Sequence, residues 1–458
     1  MIGGLAVGLL ETINKFIWGI PVLVLILGVG IYLTVRTHCA QLTLFPNALR
    51  TFLKQFSNNK GNRNGVSPYQ ALCTALAATV GTGNLAGVAG AIAIGGPGAV
   101  FWMWICALLG MVTKFAEATL AVRFRKYNKK GEYVGGPMYI IRHGMGEKWT
   151  WLAVVYCFFA VVASFGVGNA TQINAVIGGI NSVIHAFGGQ QQLFVDLMIG
   201  IVLAVLITMI LLGGAKRIGI IAEKLVPFAS AAYLLLGLIV LICRVQSIPD
   251  AFSAIICGAF RPRAVTGGML GSAFTALRVG ASRGVFTNEA GMGTAAIAHA
   301  SAQVENPVQQ GLMGIMEVFL DTIVICTMTA LVILCSGVPI PYGTDTGVVL
   351  TMQAFSAFFG NWISIPITLS LCCFAIATIL GWGLYGARSA QYLFGENAWR
   401  PFVLVQAVMV VFSAVLGTGT VWMLSEIVNG LMAIPNLIAL AWLSPEVAKL
   451  TKDFKKRA

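Results

Sequence analysis

Residues Thr79-Val80-Gly81-Thr82-Gly83-Asn84 set three oxygen-bearing side chains and two glycines inside an apolar stretch, 74–104, that is long enough to cross a bilayer. Gly loosens the backbone, and Thr and Asn compete for its hydrogen bonds, so continuous helix is disfavoured at this point. In lipid an opened turn leaves carbonyl and N–H groups unsatisfied, a heavy cost unless they line a polar cavity or a ligand. The cluster therefore predicts a site that replaces the hydration shell of an ion or solute with protein oxygens and amides.

Other residues invite chemistry and are weighed against plainer roles. Glu317 and Asp321 are spaced i, i+4 and share one helix face, where they would bind a cation, share a proton or pair with Arg278 and Arg283. A buried ion-pair network is the favoured reading of the four. Lys114 and Glu117, three apart, are expected to neutralise each other. Asn288 and Glu289 stand beside a second Gly-containing stretch, to gate one face or to cap a half-helix. Asn169, Gln172 and Asn174 are unusual on a lipid-facing helix and are expected to face a cavity. His38, His143, His185 and His299 form no ligand spacing, and the ten cysteines, mostly within apolar runs, read as small buried hydrophobes. Gly81-Thr82-Gly83-Asn84-Leu85-Ala86 fits G-x-G-x-x-A but lacks a preceding strand and a ribose-binding acid. Gly280-Ala281-Ser282-Arg283-Gly284 fits G-x-S-x-G but lacks an α/β sheet. Neither is read as catalytic.

The elements that must position these groups are membrane spans. The chain is 58% hydrophobic and 10% charged over 458 residues, with a mean hydropathy of +0.86. Soluble domains carry about 25% charged residues, so the composition is that of a polytopic membrane protein. The first apolar run, 16–35, is long enough to span and lacks the features of a cleaved leader. Eleven helical spans are expected: 16–35, 68–94, 98–122, 150–184, 193–213, 220–243, 265–300, 308–336, 361–387, 401–417 and 420–443. With the first residue outside, most of the 29 Lys and Arg residues fall in inner segments, whereas Lys15, Arg244, Arg261 and Arg263 fall outside. The net charge of +13 is thus read as a topology determinant, N-terminus out and C-terminus in, and not as a nucleic-acid footprint.

Eleven spans divide into one extra helix and two sets of five. An odd set must be followed by one of opposite polarity, which is an inverted repeat. The expected segments are 1–66 (extra span and cytoplasmic linker), 67–244 and 264–443 (the two five-helix repeats) and 444–458 (a basic cytoplasmic tail). Each repeat opens on a Gly-interrupted span, with Gly81/Gly83 in the first and Gly280/Gly284 in the second.

Four blocks carry a resemblance: TVGTGNLAGVAGAI (79–92), GGPGAVFWMW (95–104) with Gly110, GVFTNEAGMG (284–293) and FLDTIVICTMTALVIL (319–334). Together they resemble the alanine/glycine:cation symporters, also called sodium:alanine symporters, of the amino acid–polyamine–organocation group. The resemblance implies an all-α, leucine-transporter-type 5+5 fold in the inner membrane of a prokaryote. It also implies Na⁺-coupled uptake of alanine or glycine. Na⁺ prefers oxygen ligands, and Thr79, Val80, Thr82 and Asn84 supply them at the break. Thr378 joins them from the ninth span, where the family often has a Ser-Thr pair and this chain has Ala377 first. The substrate carboxylate suits the N–H groups where the helix restarts, near Gly83–Gly87, and its ammonium the carbonyls near Ala78–Gly81. Gln172 is expected in the same pocket, with Phe165 and Trp382 as lids over a small side chain.

Two other classes compete. A channel predicts a ring of like residues from symmetric subunits, whereas this chain carries its own pseudo-repeat. An intramembrane enzyme needs a nucleophile–base pair or metal ligands at membrane depth, and none is spaced for it. Among transporters, H⁺ coupling through Glu289, Glu317 and Asp321 is the runner-up, as is a larger neutral substrate such as glutamine. No obligatory protein partner is evident.

Overall fold

A computed structural model of the chain describes residues 20–57, 65–261, 273–344, 347–415 and 418–457, with scattered positions before 20. It is helical almost throughout. Helices α1 (Ile20–Arg36) and α2 (Phe45–Ser57) precede a broken element, α3 (Pro68–Thr79) and α4 (Val88–Gly95), and then α5 (Gly98–Arg123). A two-stranded hairpin, β1 (Lys126–Tyr127) and β2 (Tyr133–Val134), leads to α6 (Thr150–Phe165) and α7 (Thr171–Ala186). Next come α8 (Leu193–Leu211), α9 (Gly214–Cys243) and the short α10 (Ile248–Phe260). A second broken element follows, α11 (Ala273–Asn288) and α12 (Thr294–Ala300), then α13 (Pro307–Val318), α14 (Thr327–Cys335) and the short α15 (Val349–Phe359). The last helices are α16 (Ser364–Phe394), α17 (Trp399–Val415), α18 (Thr418–Trp442) and α19 (Ser444–Arg457).

Local chemistry sets the starts. Ser67 and Gln70 form a reciprocal capping box with Pro68 at the first turn of α3, and Asn306 caps α13 ahead of Pro307. Each such cap contributes about 1 kcal/mol. Among the described residues, eight helical segments are long and apolar enough to cross a membrane, and the pair Pro68–Thr79 and Gly83–Gly95, bent by 51°, makes a ninth. The span expected at 265–300 begins outside the described residues, and its described part is two shorter helices. Helices α10 and α15 are not among the expected spans, because 13 and 11 residues are too few to cross hydrocarbon.

Two long helices organise the bundle. Helix α5 packs against α1, α10, α11, α12 and α13, and α16 packs against α3, α6, α7, α9 and α17. Both broken elements lie between them. The peripheral helices present apolar side chains outward, as Val202, Val205 and Met209 of α8 and Leu404, Val405 and Val408 of α17 show. That surface suits acyl chains.

Candidate functional site

Helix α3 stops at Thr79, Val80 takes an extended backbone, and the chain resumes as a π-helical turn over Gly83–Gly87. Single π turns recur at functional sites because they free backbone groups. Here the freed groups are partly claimed. Gly81 N–H donates to Asn84 Oδ1 at 2.9 Å, and Thr351 of α15 donates its hydroxyl to Leu85 O at 3.0 Å. The Asn84 amide N–H group donates to Asp321 Oδ1 at 2.7 Å and to Asp321 O at 3.2 Å. Asp321 lies in a second π turn, Phe319–Cys326, and Thr322 donates to its other carboxylate oxygen at 2.8 Å. The spacing of the sequence does not join Asp321 to Asn84. Two wide turns, 237 residues apart, do.

Polar oxygens converge on Gly81 from other helices. A methyl group built on Gly81 would lie 2.6 Å from Thr378 Oγ1 of α16 and 3.6 Å from Gln172 Oε1 of α7. Thr378 Oγ1, Gln172 Oε1 and Thr82 Oγ1 are all buried and have no hydrogen-bond partner among the described residues. Uncompensated buried oxygens are costly, about 1–3 kcal/mol each, and two aimed at one glycine, with a third on the next residue of the chain, mark a place built for a ligand. Thr79 differs, since its hydroxyl returns to Ala75 O and Leu76 O at 3.4 Å. Gly83 has Thr287 against it, a built methyl lying 3.1 Å from Thr287 Cγ2, so the second broken element touches the first.

Trp382 stands one turn beyond Thr378, and a methyl on Gly168 would meet its Cβ at 2.3 Å. Phe165 does not join the cluster, because its ring stacks on Phe402 of α17 with centroids 5.2 Å apart. Asn169 is also claimed elsewhere, donating to Gln406 O at 3.1 Å.

The second break is not where the glycines suggest. Gly280 and Gly284 lie within continuous helix α11 and serve close packing on α5. A methyl on Gly280 would fall 2.2 Å from Ala99 O, and one on Gly284 would fall 3.2 Å from Cys106 Cβ. The helix opens at 289–293, where Glu289, Gly291 and Gly293 have φ of 53°, 93° and 78°. Glu117 Oε1 holds this loop, accepting from Gly291 N–H at 3.0 Å, Gly293 N–H at 3.1 Å and Asn436 Nδ2 at 2.8 Å. Glu289 accepts from Trp382 Nε1 at 2.9 Å and from the Thr294 hydroxyl at 2.6 Å.

The buried charges pair differently from the expectation. Lys114 reaches across to Glu317 at 2.8 Å rather than to Glu117, whose acceptor role in the loop draws it away. Glu317 takes its second partner, His299 Nε2, at 2.9 Å, and all three side chains are fully buried. Gln310 Nε2 points at both Pro68 O and His299 Nδ1, so His299 accepts at Nδ1 and donates through Nε2–H to Glu317. Arg283 instead approaches Glu426 at 3.7 Å, and among the described residues neither Glu317 nor Asp321 has an Arg partner. His299 is the residue whose part in the network spacing did not reveal; its neighbours lie on other helices.

Beyond α12, loop segments bond to one another at one end of the bundle. Gln303 N–H donates to Val66 O at 2.8 Å, and Arg125 donates to the carbonyls of Ala302 and Val304. Arg388 pairs with Glu132 of the hairpin at 3.1 Å. Partial burial works to raise the Glu132 carboxyl, but Arg388 outweighs it and holds the group below the ordinary carboxylate range.

A helical membrane bundle with two broken elements facing one buried polar cluster is the architecture of a secondary transporter. Comparison of structures agrees on the fold: MhsT, solved in complex with L-phenylalanine, aligns with a TM-score of 0.57 at 14% identity, covering 85% of this chain and 99% of that one. Sequence comparison is more specific. The model of the sodium:alanine symporter family matches residues 5–458, and the chain belongs to that family. It is 42% identical over 459 residues to the sodium/alanine symporter AgcS of Methanococcus maripaludis, covering 98% of this chain and 97% of that protein. It is also 42% identical over 454 residues to a transporter of Haemophilus influenzae, with 98% and 96% covered. A third relative, "Probable sodium/glutamine symporter GlnT" of Bacillus subtilis, is 34% identical over 453 residues, with 97% and 90% covered. Na⁺ is accordingly the co-transported ion.

Proposed function

We propose that this chain imports a small neutral amino acid, alanine or glycine, together with Na⁺ by alternating access. The observation that carries the reading is the convergence of Thr378 Oγ1 and Gln172 Oε1, buried and unpartnered among the described residues, on the backbone at Gly81, next in the chain to the equally unpartnered hydroxyl of Thr82. Thr378, Asn84, Thr79 and the backbone at Val80 are assigned to Na⁺. Asp321, held 2.7 Å from the Asn84 amide, supplies the negative field that favours a cation there. Thr82, Gly83 and Asn84 are assigned to the substrate backbone, the N–H groups of the restarting helix facing its carboxylate. Gln172 and Trp382 border its side chain. Phe165, turned onto Phe402, is left out of the assignment.

In this reading eleven spans form one extra helix and two inverted five-helix halves, at 67–244 and 264–443, with the basic segments on the cytoplasmic side of an inner membrane. The broken elements α3/α4 and α11/α12 open the two halves in corresponding positions, which supports the arrangement. The name of the relative GlnT supports glutamine as a second substrate reading.

Purified protein in liposomes, given labelled alanine and an inward Na⁺ gradient, should accumulate it, and choline in place of Na⁺ should abolish accumulation. Equal uptake in choline driven by a proton gradient sinks the Na⁺ assignment. Competition by unlabelled glycine and glutamine ranks the substrates.

A further inference from the structure

The buried interior carries more negative than positive formal charge. Among the described residues, the acidic, basic and histidine side chains at most 3% exposed are Lys114, Glu117, Asp196, Glu289, His299, Glu317 and Asp321, of which Asp196, in the first turn of α8, is held by Asn181 and Gln191. Lys114 answers Glu317 at 2.8 Å. His299 adds no charge, because its Nδ1 accepts from Gln310 and its Nε2–H donates to Glu317. Apart from Asp196 at the start of α8, three carboxylates are left without a cation among the described residues: Glu117, Glu289 and Asp321. Leaving several charges unanswered in hydrocarbon is prohibitive, so cations from outside must neutralise them during the cycle. Asp321, beside Asn84, belongs to the proposed Na⁺ site.

The other two differ in what their partners permit. Glu117 Oε1 collects three N–H donors, two of them backbone groups that cannot reverse, a setting made for a carboxylate. Glu289 has the Thr294 hydroxyl at 2.6 Å, which can donate to a carboxylate or turn and accept from a carboxylic acid. Its other partner, Trp382 Nε1, satisfies either form through Oε1. The charged and titratable groups facing Glu289 are Lys114 of α5, Glu317 of α13, Tyr156 of α6 and Tyr385 of α16, and Glu117 of α5 holds the same loop at Gly291 and Gly293. The phenol oxygens of Tyr156 and Tyr385 are fully buried and unpartnered among the described residues, as is Glu117 Oε2. Of the two carboxyl groups outside the proposed Na⁺ site, Glu289 is thus the one with a hydroxyl partner that can reverse with its protonation, as Thr322 can for Asp321.

We propose that Glu289 is a proton-binding site of the transport cycle, and that Na⁺ arriving at the first break displaces its proton. The link runs along α16: Trp382, bonded to Glu289, stands one turn from Thr378 at the Na⁺ site. Two cations so placed repel each other through a low-dielectric interior, and linkage makes the effect reciprocal, since acid weakens Na⁺ binding as Na⁺ weakens proton binding. The empty carrier then returns with a proton on Glu289. This rests on the Na⁺-coupled reading above.

The test is equilibrium binding of labelled alanine to the purified full-length protein, titrated with Na⁺ at pH 6, 7 and 8. The Na⁺ concentration for half-maximal binding should rise about tenfold from pH 8 to pH 6, a coupling of ordinary size. In Glu289→Gln it should stay at the acid value throughout, because the amide mimics the protonated form. In Glu289→Asp the pH dependence should persist. Na⁺-dependent binding that ignores pH in the native protein overturns the proposal, as does an undiminished slope in Glu289→Gln, including the case where Glu117→Gln removes it instead. If Glu289→Gln fails to fold, Thr294→Val decides: loss of a donor to the carboxylate should move the midpoint of the pH dependence up by about one unit, and an unmoved midpoint counts against the site. Alanine binding independent of Na⁺ at every pH is a separate result, the failure of the Na⁺ reading itself.

Discussion

At the scale of single residues, the hydroxyl of Thr378 carries the most weight, because it is buried, unpartnered among the described residues and aimed at Gly81. Thr378→Val keeps the shape and deletes the oxygen. Losing one ligand of a desolvated ion costs about 1–3 kcal/mol, so the Na⁺ concentration for half-maximal uptake should rise at least about tenfold. Ala377→Ser added to that variant should restore part of the loss by offering a hydroxyl one position away. Unchanged Na⁺ dependence in Thr378→Val would move coupling to the Asn84 side of the break. Asn84→Ala should also raise the Na⁺ requirement about tenfold, and it should lower the melting temperature, because Gly81 N–H and the Asp321 carboxylate both lose a partner. Thr82 and Asn84 were legible as oxygen-bearing residues in an interrupted helix, Gln172 as a polar residue expected to face a cavity, and Thr378 through the family resemblance. The partnership of Asn84 with Asp321 was not, since nothing in local sequence reports which side chain stands opposite.

At the scale of elements, the first break was legible and the second was misplaced for a physical reason. Glycine in a helix signals either backbone freedom or close approach, and sequence alone does not separate the two. Gly81 belongs to an opened turn, whereas Gly280 lets α11 approach the backbone of α5 at Ala99. The actual opening at 289–293 depends on Glu117, reaching in from α5 to hold two backbone N–H groups. The π turns at 83–87 and 319–326 leave no periodic signature, so the widening that brings Asn84 to Asp321 appears only in three dimensions. Glu117→Gln tests the loop. The amide can keep its oxygen toward all three donors, with its N–H₂ where Oε2 has no partner among the described residues, but it loses the negative charge that strengthens those bonds. Amide exchange at 289–293 should accelerate roughly tenfold or more, consistent with loss of about 1–3 kcal/mol, and the alanine turnover rate should fall. Exchange unchanged from the native protein would show that the loop is held by packing alone.

At the scale of the whole molecule, charge movement tests the proposed Na⁺ and proton sites together. Alanine is a zwitterion and brings no net charge, so the current per cycle equals the Na⁺ ions that enter minus any proton that accompanies the reverse step. Two sets of oxygens meet at the break, Asn84 with Asp321 and Thr378 of α16, and if each seats one ion the cycle carries two Na⁺. Two entering and one proton leaving give one net charge. A potential of 100 mV, inside negative, contributes about 2.3 kcal/mol per charge, which converts to at most about fiftyfold in the alanine gradient at equilibrium. Liposomes with matched Na⁺ on both sides and a valinomycin-clamped potential should therefore concentrate alanine, and reversing the potential should expel it. In Glu289→Gln, with its proton route gone, the same voltage should act on two charges and steepen the dependence of the alanine gradient on potential. Accumulation indifferent to voltage in the native protein would mean that Na⁺ and H⁺ exchange one for one, leaving a single Na⁺ seat at the break.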